Sequence, residues 1–136
     1  MDSEAVKELL STGNPFAALV GVEVTEVSPG RATCRLALRD EHLNPFGTVN
    51  AGAIYTLAET AFGAAANSHG NAALAVNLSI AYLKPGKGEC LTATAEEISA
   101  GGRMATYSVR VCDDSGELVA DIQAMGYRTK KSLKDL

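Results

Sequence analysis

The chain has no tryptophan, and its aromatic content is only 5%. Its three cysteines, Cys34, Cys90 and Cys112, are odd in number, far apart and without a CxxC pair. They fit neither a disulfide framework nor a thiolate metal cage and read as reduced core residues, a catalytic thiol being the alternative. His42 and His69 stand apart from each other and from the cysteines, and Asp113-Asp114 has the composition of a turn, so no metal and no cofactor is expected. Basic residues are outnumbered, 12 against 16 acidic, for a net charge of -4. No basic stripe is available to displace counterions from a phosphate backbone, which argues against nucleic acid as a partner. Long apolar runs are also missing, so no segment is expected to span or anchor in a membrane. The opening MDSEAVKELL lacks the basic start and apolar stretch of an export signal, and the expected location is cytoplasmic.

What the chain does have is a hydrophobic fraction of 46% with 21% charged residues, enough apolar side chain for a real core. Its 136 residues, without repeats or low-complexity tracts, suit one domain spanning 1–136. Val6, Leu9 and Leu10 fall at helical spacing within Ser3 to Thr12, so residues 1–13 are read as an N-terminal helix stopped by Gly13-Asn14-Pro15. Alternating apolar positions on either side of Ser28-Pro29-Gly30 predict a hairpin from Val22 to Arg39. Asp40 to Val49 is a loop. Ile54, Leu57, Ala58, Ala61, Phe62 and Ala65 then form a helical stripe, with Asn50 as its N-cap and Asn67, Gly70 and Asn71 marking its far end.

Four further strands are expected at Leu74–Leu83, Glu89–Ile98, Met104–Cys112 and Leu118–Arg128, with spacing that suits antiparallel neighbours. The polar tail, 130–136, is expected to fray. One long apolar helix beside about six strands joined by short turns implies an α+β class, a curved antiparallel sheet wrapped on that helix.

Chemistry concentrates on this helix. Between Ala51 and Ala66 its only ionisable side chains are Tyr55 and Glu59, and at about 100° per residue Glu59 lies off the apolar stripe. So little charge predicts a helix covered on two sides, by its own sheet and by something else such as a second subunit. Glu59 would then occupy a partly buried cleft, where desolvation raises a carboxylate's pKa and suits it to general-base or nucleophilic work. The same pattern is also met by a lone polar residue on an exposed strip. At the helix start, free N–H groups near Ala51 and Gly52, with the positive end of the helix dipole, can stabilise a developing oxyanion. Gly47 and Gly52 keep the approach open, although Gly47 also serves simply to make the turn.

Taken together, His42-Leu43-Asn44-Pro45-Phe46-Gly47-Thr48-Val49-Asn50-Ala51-Gly52, followed by Leu57 and Glu59, resembles the H-x-N-x-x-G-x-x-H-G-G…L-x-[DE] signature of hotdog-fold acyl-CoA thioesterases of the phenylacetate-degradation (PaaI-like) type. Element order, and Tyr82-Leu83-Lys84-Pro85-Gly86 closing a strand, extend the likeness over nearly the whole chain. The resemblance implies a hotdog fold and hydrolysis of an acyl-CoA thioester. It implies that Glu59 acts as base or nucleophile, that the amide at Ala51 polarises the carbonyl, and that Asn44 positions water or the carboxylate. It also implies sites shared within a homodimer, with dimers paired into a homotetramer. His42, Gly47 and Asn50 are candidate substrate contacts, and Lys84, Lys87 and Arg103 are candidates for the CoA phosphates, though each could equally be a solvated charge.

Two positions depart from the family. Asn50-Ala51-Gly52 replaces the usual His-Gly-Gly, so no histidine there can carry a proton, and His42 either substitutes or orients the loop. Gly63 stands where relatives place serine or threonine to hold the attacking water. A noncatalytic acyl-CoA sensor or carrier is the alternative function; a hydratase or dehydratase ranks below both for want of paired acid and histidine. The low aromatic content slightly favours an aliphatic acyl group.

Overall fold

The computed structural model describes residues 1–136. Helix α1, Ser3–Thr12, is capped by Asp2, whose side chain accepts from the Ala5 N–H, and it buries Val6. Gly13-Asn14-Pro15 ends that helix and at once begins another, which sequence reasoning read only as a stop. Asn14 caps the Ala17 N–H and Pro15 takes the first turn of α2, Pro15–Val20, where its missing N–H costs nothing. Gly21, at φ 100°, closes α2 in the left-handed conformation that glycine adopts without strain.

Strands β1, Val22–Ser28, and β2, Arg31–Ala37, make the expected hairpin. The loop after β2 leads to α3, Ala51–Asn67, with Asn50 as its cap. Four strands follow: β3, Asn71–Tyr82; β4, Cys90–Ala100; β5, Met104–Cys112; and β6, Leu118–Ser132. All six form one antiparallel sheet in the order β1-β2-β4-β5-β6-β3. Sequential neighbours pair in β4-β5-β6, but β3 does not sit beside β2 or β4. The chain crosses the sheet through α3, so β3 lands on the far edge against β6, leaving β4 to pair with β2. The expected hotdog arrangement, a curved sheet around one long helix, is the fold observed.

The helix packs through Leu57, Ala58, Ala61, Phe62 and Ala65 onto Leu36, Leu91, Val109 and Ile122, all nearly or fully excluded from solvent. Each large side chain buried there contributes about 1.5–3 kcal/mol. Phe62 meets Tyr107 edge to face, with ring centroids 5.3 Å apart. Gly126 lets Phe62 come this close to β6, because a Cβ there would lie 3.2 Å from the ring. The second cover over α3 comes in part from the chain itself, since α1 and α2 both contact it.

The tail expected to fray carries regular structure as far as Asp135. Strand β6 continues to Ser132, a 3-10 turn follows at Leu133–Asp135, and Leu133 is buried with its N–H donating to the Gly70 carbonyl at 2.9 Å. Residues 130–136 looked polar because only Leu133 among the first of them turns inward. No helix is long and apolar enough to cross a membrane.

Candidate active site

Away from the sheet, α3 presents a partly open stripe that includes Thr56, Glu59, Gly63 and Asn67. Glu59 opens into a 230 Å³ cleft walled by Leu10 and Asn14 at the α1–α2 junction and by Ala73–Ala75 at the start of β3. Its carboxylate has no hydrogen bond and no ion pair within the chain. Burial alone pushes its pKa above the ordinary 4.5, because the charged form loses hydration and gains no partner. A carboxylate in that condition is a better proton acceptor near neutral pH than a solvated one.

The start of α3 opens into a different hollow of 400 Å³, lined by Asn44, Thr48, Ala51, Tyr82 and Lys84 among others. The Asn50 side chain accepts from the Gly52 N–H at 2.8 Å, and its backbone carbonyl accepts from Ala53 and Ile54. Gly52 is thereby removed from the pair of free amides expected here. The Ala51 N–H is left without a partner in the chain, at the positive end of the helix dipole. Tyr82, which sequence reasoning did not place in the site, donates its hydroxyl to the Ala51 carbonyl at 3.1 Å and fixes this end of the helix to the end of β3.

Asn44 and Gly47 build the loop leading to Ala51. The Asn44 side-chain oxygen accepts from Phe46 and Thr48 N–H at 2.9 and 3.2 Å, and its amide donates to the Thr48 hydroxyl at 2.9 Å. Its oxygen is therefore engaged within the loop, while one amide hydrogen stays free for the hollow. Gly47, at φ 77°, donates its N–H to the Asn44 carbonyl and has nothing near its missing side chain, so its role is the turn.

The geometry narrows the roles open to four expected contacts, His42, Lys84, Lys87 and Arg103. His42 is buried, its Nδ1 accepting from the Arg39 N–H at 2.9 Å and its Nε2 lying 2.6 Å from the Val20 carbonyl. A backbone N–H can only donate, so the proton sits on Nε2, both nitrogens are engaged, and His42 ties the loop to α2. Lys84 lines the hollow, but its ammonium is held by Asp113, at 2.9 Å, and by Glu117. Hydrogen bonds from Ser115 and then Lys84 keep the Asp113 pKa below its usual value. Lys87 and Arg103 are exposed and make no ion pair, but they flank opposite ends of the 11-residue β4. At about 3.3 Å per residue they are roughly 35 Å apart and cannot grip one ligand within one chain.

Among the thiols, Cys34 is fully enclosed and burial pushes its pKa up to about 12, so it is inert. No three His, Cys, Asp or Glu side chains converge where they could hold a metal ion. Leu10, Asn14 and Asn67 are the cleft residues that sequence reasoning missed. Asn14-Pro15 carried the one legible signal, a cap followed by a first-turn proline, which would have placed a second helix beside α3.

Residues 46–120, from the motif loop into β6, match the description of the Thioesterase superfamily. The chain belongs to that superfamily. A putative esterase of Archaeoglobus fulgidus is 34% identical to this thioesterase-superfamily chain, over 94% of it and 84% of the relative. The acyl-coenzyme A thioesterase PaaI of Escherichia coli is 30% identical, over 82% of this chain and 81% of its own. The solved structure of the E. coli PaaI protein superposes with a TM-score of 0.91 and 25% identity, covering 95% of this chain and 94% of that one. As a superfamily member, the chain has the fold and family of a thioester hydrolase.

Proposed function

We propose that the protein hydrolyses acyl-CoA thioesters at sites shared by two copies of the chain. The observation that carries this reading is the unpaired, pKa-raised Glu59 on the same helix as the free Ala51 N–H. These groups open into separate cavities of one chain, so a single copy supplies two half-sites.

Strand β3 supports the way they are joined. It is an edge strand, with one row of backbone groups unpaired and with Leu74, Val76 and Tyr82 exposed. Its first residues wall the Glu59 cleft and its last line the Ala51 hollow. Antiparallel pairing of two β3 strands about a twofold axis lays the first end of one beside the last end of the other. The Glu59 of one chain is thereby brought toward the partner's Ala51 hollow. Arg103, at the Glu59 end, and Lys87, at the Ala51 end, then come to the same site from different chains, where they suit the CoA phosphates. Exposed Phe16 and Leu19 on α2 offer an apolar surface for pairing dimers into a tetramer.

In the proposed reaction Glu59 takes a proton from water as its oxygen adds to the thioester carbon. The carbonyl electron pair moves onto oxygen, where the Ala51 N–H stabilises the negative charge. The tetrahedral species collapses with cleavage of the C–S bond, and Glu59 returns the proton to the departing CoA sulfur, leaving free acid and CoA thiol. Direct attack by Glu59, followed by hydrolysis of an anhydride, uses the same groups.

Free-thiol release from a panel of acyl-CoAs tests the activity, and mixing two inactive variants tests the shared site. Glu59→Ala and Ala51→Pro chains should each be inactive, while their mixed dimer regains one intact site. Hydrolysis of no acyl-CoA, with binding retained, would make the protein a noncatalytic acyl-CoA carrier. Absence of complementation in confirmed mixed dimers would place the site within one chain.

A further inference from the structure

The cleft beside Glu59 continues past the carboxylate along α3, and its shape carries information on the acyl group. From Glu59 to Asn67 the helix advances about 12 Å. Over this length the floor is Gly63 and Ala64, the side wall is Ala73 and Ala75 of β3, and Leu10 of α1 lies over it. Gly63 adopts helical backbone that any residue could take, and a Cβ built on it would meet nothing within 4 Å. The missing side chain therefore leaves free space on the face that Glu59 occupies.

The far end is closed. The Asn67 amide donates to the Gly63 carbonyl at 2.8 Å and to the Ala73 carbonyl at 3.3 Å, and its oxygen accepts from the Ala73 N–H at 2.9 Å. These bonds hold Asn67 between the end of α3 and the start of β3, so Asn67 is a polar wall that an alkyl chain cannot push aside without breaking part-buried hydrogen bonds. Spread along about 12 Å of helix, a 230 Å³ space suits a methylene chain better than an aryl ring.

We propose that this groove holds a linear, medium-chain acyl group, with Gly63 providing its path and Asn67 setting its maximum length. The substrate class is then a straight-chain acyl-CoA of roughly eight carbons, from the length of helix between carboxylate and wall. The assignment rests on the acyl-CoA hydrolysis proposed above and deepens it. On this view the glycine at position 63 exchanges a hydroxyl that would hold water for room for the chain.

The test is kcat/KM across acetyl-, butanoyl-, octanoyl-, palmitoyl- and phenylacetyl-CoA for the wild-type chain and for Gly63→Leu. Wild type should prefer octanoyl-CoA to both palmitoyl- and phenylacetyl-CoA. Gly63→Leu should lower the octanoyl-to-butanoyl ratio by at least about tenfold, since even one misplaced methylene in a pocket discriminates on that scale. The open space and helical backbone at Gly63 make folding of this variant expected, and Gly63→Ala, checked by circular dichroism, supplies a smaller shift in the same direction. A preference for phenylacetyl- or palmitoyl-CoA, or a length profile unmoved by both substitutions, would overturn the groove assignment while leaving the hydrolase intact. If no acyl-CoA is hydrolysed, the proposed activity fails instead, and calorimetric binding of octanoate and phenylacetate then decides the groove. Octanoate binding weakened by Gly63→Leu supports it, and tighter binding of phenylacetate refutes it.

Discussion

Glu59 and Ala51 lie on one helix, about 12 Å apart along its axis, and face two different cavities. The base and the carbonyl-polarising amide of the proposed reaction are thus held apart within one chain. On the proposed reading, each reaction draws on two copies of the chain.

Ala51→Pro removes the free N–H and little else. Proline suits the first helical position, and Asn50, at φ -58° and ψ 135°, already has the extended conformation required before proline. Thermal stability should stay within about 1 kcal/mol of wild type, while kcat falls by about 10²–10³ if this amide polarises the carbonyl. Single-turnover thiol release and a melting curve measure the two effects.

Glu59 links activity and stability to pH in opposite ways. Because burial raises its pKa, the folded chain holds a proton there that the unfolded chain has lost, from the ordinary 4.5 up to the higher folded value. Stability therefore falls as pH rises through that window and the penalty is complete above it. Glu59→Gln should melt at a higher temperature than wild type at pH 8 and show no such advantage at pH 4. The acid limb of the wild-type kcat/KM profile should lie above the usual carboxylate range. Equal melting shifts at both pH values would show that the ionisation does not matter.

His42→Leu should act on stability and not on proton transfer. It leaves the part-buried Arg39 N–H without its partner and leaves the Val20 carbonyl only the 3.3 Å bond from the Arg39 guanidinium, a cost of about 1–3 kcal/mol. Urea unfolding should register this loss, and the shape of the pH–rate profile should not change. A profile that loses one of its limbs would give His42 the proton-transfer role that its hydrogen bonds argue against.

Val76→Lys places a charge near the middle of the exposed edge of β3, where two strands related by a twofold axis would bring like charges together. Sedimentation should show monomers, and activity should be lost with the dimer although Glu59 and Ala51 are untouched. A fully active monomer would refute the shared site.

Much of the fold was legible because its signals are local. Period-two alternation marks β1, β2, β4 and β5, and the stripe from Ile54 to Ala65 with the Asn50 cap marks α3. The α2 helix was hidden because it is short and the Asn14-Pro15 pair ends one helix while starting the next. The position of β3 beside β6 depends on a crossover between distant residues, which no local pattern encodes.

The candidate site divides along the same line. The residues alone determined that a nearly uncharged helix carries one carboxylate, Glu59, and begins at an N-cap, since periodicity and capping act within a few residues. Only the tertiary structure decided which groups are free to act. Packing left Glu59 unpaired, and the Asn50 side chain took the Gly52 N–H but left that of Ala51. Salt bridges occupied Lys84, backbone contacts occupied His42, and helix geometry set Glu59 and Ala51 in separate hollows. Hydrogen-bond partners and burial arise between residues far apart in the chain, so they exist only once the sheet has closed around α3.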